Sequence, residues 1–143
     1  LDMAKIEQAA RDAAVYGNIM ELEKGFETLI GERGVTLSGG QKQRVSIARA
    51  IMKHPQVLIF DDCLSAVDTR TEEEILRNLG GIMQGKTSII IAHRISTIKN
   101  ADKILVMDNG EIAEQGTHDE LMERRQIYFE LYEKQLLEEE ENA

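Results

Sequence analysis

The sequence predicts an α/β fold with a mostly parallel sheet, preceded by part of a small helical subdomain. Three observations carry this expectation. Residues 1–53 hold only helical periodicities and glycine-marked turns, whereas residues 54–143 alternate short apolar runs with helical ones. The chain has 143 residues and is 42% hydrophobic, enough for a real core.

The elements follow in order. Residues 2–15 place Ile6, Ala9, Ala10 and Ala13 at helical spacing. A stretch punctuated by Gly17, Gly25, Gly31, Gly34 and Gly40 comes next. "QKQRVSIARAIMKH" puts Val45, Ala48 and Met52 on one helical face, and Pro55 closes that helix. "VLIF" (Val57 to Phe60) reads as a buried strand, "TEEEILRNL" as a helix, "TSIIIA" as a strand, "ISTIKN" as a short helix and "KILVM" as a strand. Asn109-Gly110 turns the chain into a return strand, "EIAEQ". "THDE", Thr117 to Glu120, is a capping box that opens a helix, and a last helix carries Ile127, Leu131, Leu136 and Leu137.

Composition excludes several classes. A formal charge of −9 argues against a nucleic-acid surface, part of it coming from the solvated run Glu138 to Glu141. One cysteine, Cys63, allows no internal disulfide and suits a reducing compartment. The longest apolar run is far too short to span a bilayer, and no N-terminal basic-then-apolar segment suggests export.

Four stretches bear on chemistry. In "LSGGQ", Leu37 to Gln41, a serine and two glycines stand before a helix. The glycines let a ligand approach the backbone, and the helix N-terminus offers N–H groups and a positive dipole end to an anion. Alternatively, Ser38 is an ordinary N-cap. "GGIMQGKT", Gly80 to Thr87, matches the letters of a phosphate loop but has a helix before it and a strand after it, the reverse of what such a loop needs. It reads as a helix-to-strand turn, with Gly80 and Gly81 stopping the helix. "VLIFDD" ends a strand in Asp61 and Asp62 at the edge where parallel sheets bind ligands. Asp61 there could serve Mg²⁺, and Asp62 could polarise a water, or the pair could be a solvated turn. "IIIAHR" ends the next strand close to His93, either a functional or a capping residue.

Read together, "TLIGERGVTLSGGQKQRVSIARAI", "VLIFDDCLSAVDT", "IIIAHRISTI" and "ADKILVMDNGEIAEQGTHDEL" resemble the C-terminal half of the nucleotide-binding domain of an ATP-binding cassette (ABC) transporter of exporter type. The resemblance covers nearly the whole chain and implies a partial P-loop NTPase (RecA-like) lobe at residues 54–143, with part of the helical signature subdomain at residues 1–53. It implies that Leu37, Ser38, Gly39, Gly40 and Gln41 bind the γ-phosphate of ATP held by a partner domain. It makes Asp61 the Mg²⁺-linked Walker B aspartate and His93 the switch histidine. Ser65, Ala66, Val67 and Asp68 match the D-loop at the dimer interface. Thr28 to Gly34 is similar to an exporter segment that senses the membrane domains. The implied cofactors are ATP and Mg²⁺, and the implied partners are a second nucleotide-binding domain and transmembrane domains, with no nucleic acid. The implied location is the cytoplasmic face of the membrane.

Two departures qualify the resemblance. The family's phosphate loop, adenine-stacking aromatic and Q-loop have no counterpart here, so the chain is expected to be a fragment that does not hydrolyse ATP alone. The catalytic position after Asp61 carries Asp62 where the family has glutamate, which implies a degenerate site of its own beside an intact signature. The ATPases of DNA repair and chromosome maintenance share these motifs, but the chain lacks their basic surface and a leading heptad run. A non-catalytic interaction fragment is the third reading.

Overall fold

The computed structural model describes residues 2–143 and divides into two compact units, one up to Ile91 and one from Ala92 to Ala143. The first unit holds α1 (Met3–Asp12), α2 (Tyr16–Met20), a 3₁₀ turn (Gly25–Glu27), α3 (Gly39–Ile51), β1 (Val57–Asp61), α4 (Thr69–Ile82) and β2 (Thr87–Ile91). The second holds α5 (Ile95–Ile98), β3 (Ile104–Asp108), β4 (Glu111–Gly116), α6 (His118–Arg124) and α7 (Ile127–Glu141).

Small side chains let the first helices pack closely. Ala9, Ala10 and Ala13 of α1 are buried in one cluster with Ile47, Ala48 and Ile51 of α3 and Ile75 and Leu79 of α4. The buried face of α3 therefore runs through Ile47, Ala48 and Ile51, while Val45 and Met52 are only partly buried at its margin. β1 and β2 are parallel neighbours, from Val57 opposite Thr87 to Asp61 opposite Ile91, and α4 is their crossover. β1 alternates strictly: Leu58 and Phe60 enter the core, while Val57 and Ile59 are 54% and 61% exposed.

α4 does not stop at Gly80 and Gly81, as expected, but continues through both to Ile82. Two helical glycines each cost about 1 kcal/mol. Burial of Leu79 and Met83 on either side of the pair offsets that cost. The turn is instead made by Gly85, at φ 76°. "GGIMQGKT" is thus the end of a helix, a turn and the start of β2.

In the second unit β3 and β4 form an antiparallel hairpin, with a register irregularity between Val106 and Met107. Its turn places Asn109 and Gly110 at φ 49° and 79°, the left-handed pair that a two-residue hairpin loop requires. Thr117 and Glu120 close the expected capping box at the start of α6. α7 lacks a side-chain cap of its own, and the buried Glu114 of β4 supplies one by accepting the Tyr128 N–H at 2.8 Å. Ile95, Ile104, Val106, Leu121 and Tyr128 form this unit's core.

Candidate functional site

Two segments distant in sequence form one site in the first unit. One opens α3, and the other runs from the end of β1 to the start of α4. Ser38 is the N-cap of α3: its Oγ accepts the Gln41 N–H at 3.2 Å, and Gln41 Oε1 accepts the Ser38 N–H at 2.9 Å. This reciprocal cap fixes the first turn. Ser38 keeps its hydroxyl hydrogen as a donor, and helix geometry aims the N–H groups of Gly39 and Gly40 out of the N-terminus. An anion is favoured there. Leu37 lines an apolar cavity of about 170 Å³ with Val15, Ile19, Phe26, Ile30 and Val45.

β1 delivers the acidic pair. Asp61 ends the strand opposite Ile91, and the Asp62 N–H donates to the Ile91 carbonyl at 2.9 Å, one step past the strand. Asp62 then turns the chain at φ 50°, a left-handed conformation that aspartate tolerates better than most residues. Both aspartates are exposed. Cys63 is half-buried, and desolvation, with the Asp62 and Asp61 charges adding to it, pushes its thiol up from 9.0 to about 11.

The two segments are joined by Gln43, which the sequence reading did not single out. Its Oε1 accepts the Ala66 N–H at 2.9 Å, and its Nε2 donates to Ser65 Oγ at 2.9 Å and to the Asp62 carbonyl at 3.3 Å. Gly40 lies against the same loop: a Cβ there would stand 2.7 Å from the Ala66 carbonyl oxygen. The one signal in the sequence is position, since Gln43 follows Gly39 and Gly40 by four and three residues and so shares their helix face.

Of the four D-loop candidates, Ser65, Ala66 and Asp68 are exposed and Val67 is buried in the core, where it anchors the loop. Asp68 caps α4 by accepting the Thr71 N–H at 3.0 Å. Its hydrogen bonds with Thr71 hold its carboxyl below the usual range, and the Arg44 charge adds to the effect.

The exporter-like segment Thr28 to Gly34 folds as a tight loop: the Val35 N–H reaches the Leu29 carbonyl at 2.9 Å and the Gly34 N–H reaches that of Gly31 at 3.0 Å. Only glycine fits at position 34, because a Cβ would lie 2.0 Å from the Leu29 oxygen. Glu32 and Arg33 are exposed at the tip.

His93 belongs to the second unit, two residues beyond the end of β2, and is exposed. Its carbonyl accepts Gln135 Nε2 at 2.6 Å and the Ile95 N–H donates to Gln135 Oε1 at 2.8 Å, so α7 fixes the backbone on which the imidazole sits.

The donor set suits a phosphate ligand better than a protein-held metal. Among the described residues no group of three or more His, Cys, Asp or Glu is placed to hold a metal ion. Asp61 offers one hard oxygen donor, which fits Mg²⁺ carried mainly by phosphates and water.

A parallel strand pair whose first strand runs into two carboxylates, with a glycine-rich helix start docked on the loop that follows, defines a partial α/β domain of the P-loop NTPase class. Comparison with known proteins narrows this. The family model described as ABC transporter matches residues 3–65. The chain is 51% identical over 133 residues to a probable multidrug resistance ABC transporter ATP-binding/permease protein, YheI, of Bacillus subtilis (strain 168), covering 93% of this chain and 23% of that protein. It is 48% identical over 136 residues to the multidrug resistance protein pgp-1 of Caenorhabditis elegans, covering 95% of this chain and 10% of the relative. A solved structure of a bacterial Atm1-family ABC exporter with ATP bound superposes with a TM-score of 0.88 at 47% identity, over 94% of this chain and 24% of that one. Over nearly its whole length the chain is similar to ABC exporters, and the ABC transporter model matches its first part. It spans a quarter or less of the length of these relatives.

Proposed function

We propose that this chain is the part of an exporter's ATPase domain that completes the ATP site of a partner domain. The observation that carries the reading is the first turn of α3, where the Ser38–Gln41 cap leaves the Ser38 hydroxyl and the Gly39 and Gly40 N–H groups as outward donors. Mg²⁺-bound ATP supplies the γ-phosphoryl group and its counter-charge. Ser38, Gly39 and Gly40 bind and orient that group from outside the partner's own phosphate loop, with Leu37 and Gln41 holding the turn. The exposed Ser65, Ala66 and Asp68 meet the partner across the same interface.

In this chain's own half-site, Asp61 would hold Mg²⁺ through one oxygen ligand and Asp62 would orient water. His93, in the second unit, is proposed on its own as a hydrogen-bond donor to a γ-phosphate. The Asp62 carboxylate is set back by one methylene from the family's glutamate, and a misplacement of about 1 Å can cost on the order of 100-fold in rate. The parent protein is thus one half of a heterodimeric exporter at the cytoplasmic face of a membrane, with residues 1–53 carrying the signature and residues 54–143 the ATPase core. The Glu32–Arg33 tip meets its transmembrane domains.

The test is ATP turnover by the chain alone and after adding an exporter nucleotide-binding domain with an intact phosphate loop. The chain is silent alone and raises the partner's turnover, and Ser38→Arg removes the gain. Steady turnover by the isolated chain, or a gain indifferent to Ser38→Arg, overturns the proposal.

A further inference from the structure

We infer that Gln43 is a positioning residue, tying the Asp62–Ala66 loop to the signature helix so that the two respond to a ligand as one body. The inference deepens the reading of Ser38 to Gly40 as a site for a partner's nucleotide and rests on it for its functional meaning.

The bonds are directional. Gln43 uses the acceptor and both donor hydrogens of its amide on one loop, at Ala66 N–H, Ser65 Oγ and the Asp62 carbonyl. Ser65 Oγ also donates to the Asp62 carbonyl, at 3.3 Å. The Asp62 peptide groups are thus held on both sides, the carbonyl by Gln43 and Ser65 and the N–H by the Ile91 carbonyl of β2. One of those holds comes from α3. Gly40, seated against the Ala66 carbonyl, leaves the loop no room to move inward when the helix shifts. Gln43 lies one helical turn beyond Gly39 and Gly40, and a helix transmits an axial or rotational shift over one turn with little loss. A shift at the capped turn therefore reaches Asp62 through Gln43, linking the outward-facing signature to the acidic pair of the chain's own half-site.

The experiment is amide exchange in the full 143-residue chain, read at Ala66 in a double-mutant cycle. Ser38→Ala loosens the first turn and Gln43→Ala removes the tie. With Gln43 present, Ser38→Ala speeds Ala66 exchange by about 5-fold; with Gln43→Ala in place, Ala66 already exchanges about 5-fold faster and Ser38→Ala adds nothing. Gln43→Glu guards against a general loss of structure. It retains the acceptor for Ala66 N–H and loses the two donors, so Ala66 stays protected while Ser65 and Asp62 loosen. Equal acceleration by Ser38→Ala in both backgrounds, or none in either, overturns the inference. A second arm adds a partner nucleotide-binding domain loaded with ATPγS. Wild type gains protection at residues 38–42 and at Asp62, which lies off the partner-facing Ser65 and Ala66, and Gln43→Ala gains it at 38–42 but not at Asp62; the same gain at Asp62 in both also overturns the inference. No gain at 38–42 in wild type sinks the partner-site reading instead, and the cycle in the free chain still decides Gln43.

Discussion

The adjacent glycines of the signature respond oppositely to the same small change. In Gly39→Ala the new methyl meets only Ala66 Cβ at 3.5 Å, an ordinary contact. Alanine is the better helix former by up to about 1 kcal/mol, so this variant is neutral or slightly more stable. In Gly40→Ala the methyl stands 2.7 Å from the Ala66 carbonyl oxygen, a backbone atom whose neighbouring N–H is held by Gln43. The loop has to retreat, at an overpacking cost of about 1–3 kcal/mol that exceeds the propensity gain. A net loss of about 1–2 kcal/mol lowers the melting temperature by about 2–8 °C in a domain of this size. Thermal unfolding by circular dichroism on both variants and wild type reads the difference. Gly40→Ala melting at or above Gly39→Ala would refute the docking of the signature helix on the Asp62–Ala66 loop.

The structure supports three more predictions. Burial raises the Cys63 thiol from 9.0 to about 11, so at pH 8 its thiolate fraction and alkylation rate are about 100-fold below those of the unfolded chain. Labelling rises about tenfold per pH unit until near pH 11, and because the folded value is the higher one, the associated stability is present below pH 9 and is lost as pH climbs through 11; labelling that levels off at pH 9 contradicts this. Gly34→Ala opens the Leu29–Val35 loop and speeds exchange of the Gly34 and Val35 amides by about 10-fold or more with little change in melting temperature; unchanged exchange would contradict the 2.0 Å clash. The uncovered face of the parallel sheet, with Val57, Ile59, Ile89 and Ile91 all at least 46% exposed, drives self-association that Ile59→Lys reduces, and light scattering showing a clean monomer at high concentration counts against it.

Local chemistry was legible before the fold. Asn109-Gly110 announces its hairpin because few other pairs accept two left-handed residues, and Thr117 with Glu120 announces a helix start because each side chain answers the other's backbone. Elements set by competition were less so. Gly80 and Gly81 read as a stop, yet the burial of Leu79 and Met83 carries α4 across them. The inward face of α3 rests on Ile47 and Ile51, which a periodicity through Val45 and Met52 misses by a fraction of a turn, because the packing partner selects among faces of similar apolarity. Gln43 lay beyond sequence reasoning altogether: its bonds reach residues 19 to 23 positions away, and no period in the chain encodes a tertiary hydrogen bond.

The central claim is that Ser38, Gly39 and Gly40 touch a nucleotide held by another domain. A photoreactive group on the γ-phosphate of ATP, loaded onto a partner domain with an intact phosphate loop, tests it directly. Trypsin, cutting after Arg33 and Lys42, isolates residues 34–42 of this chain. The account predicts label within residues 34–42 only when the partner is present, and its loss with Ser38→Arg, read in both peptides 34–38 and 39–42 that the added arginine produces. Label appearing without the partner, or only in peptides outside the signature, would contradict it.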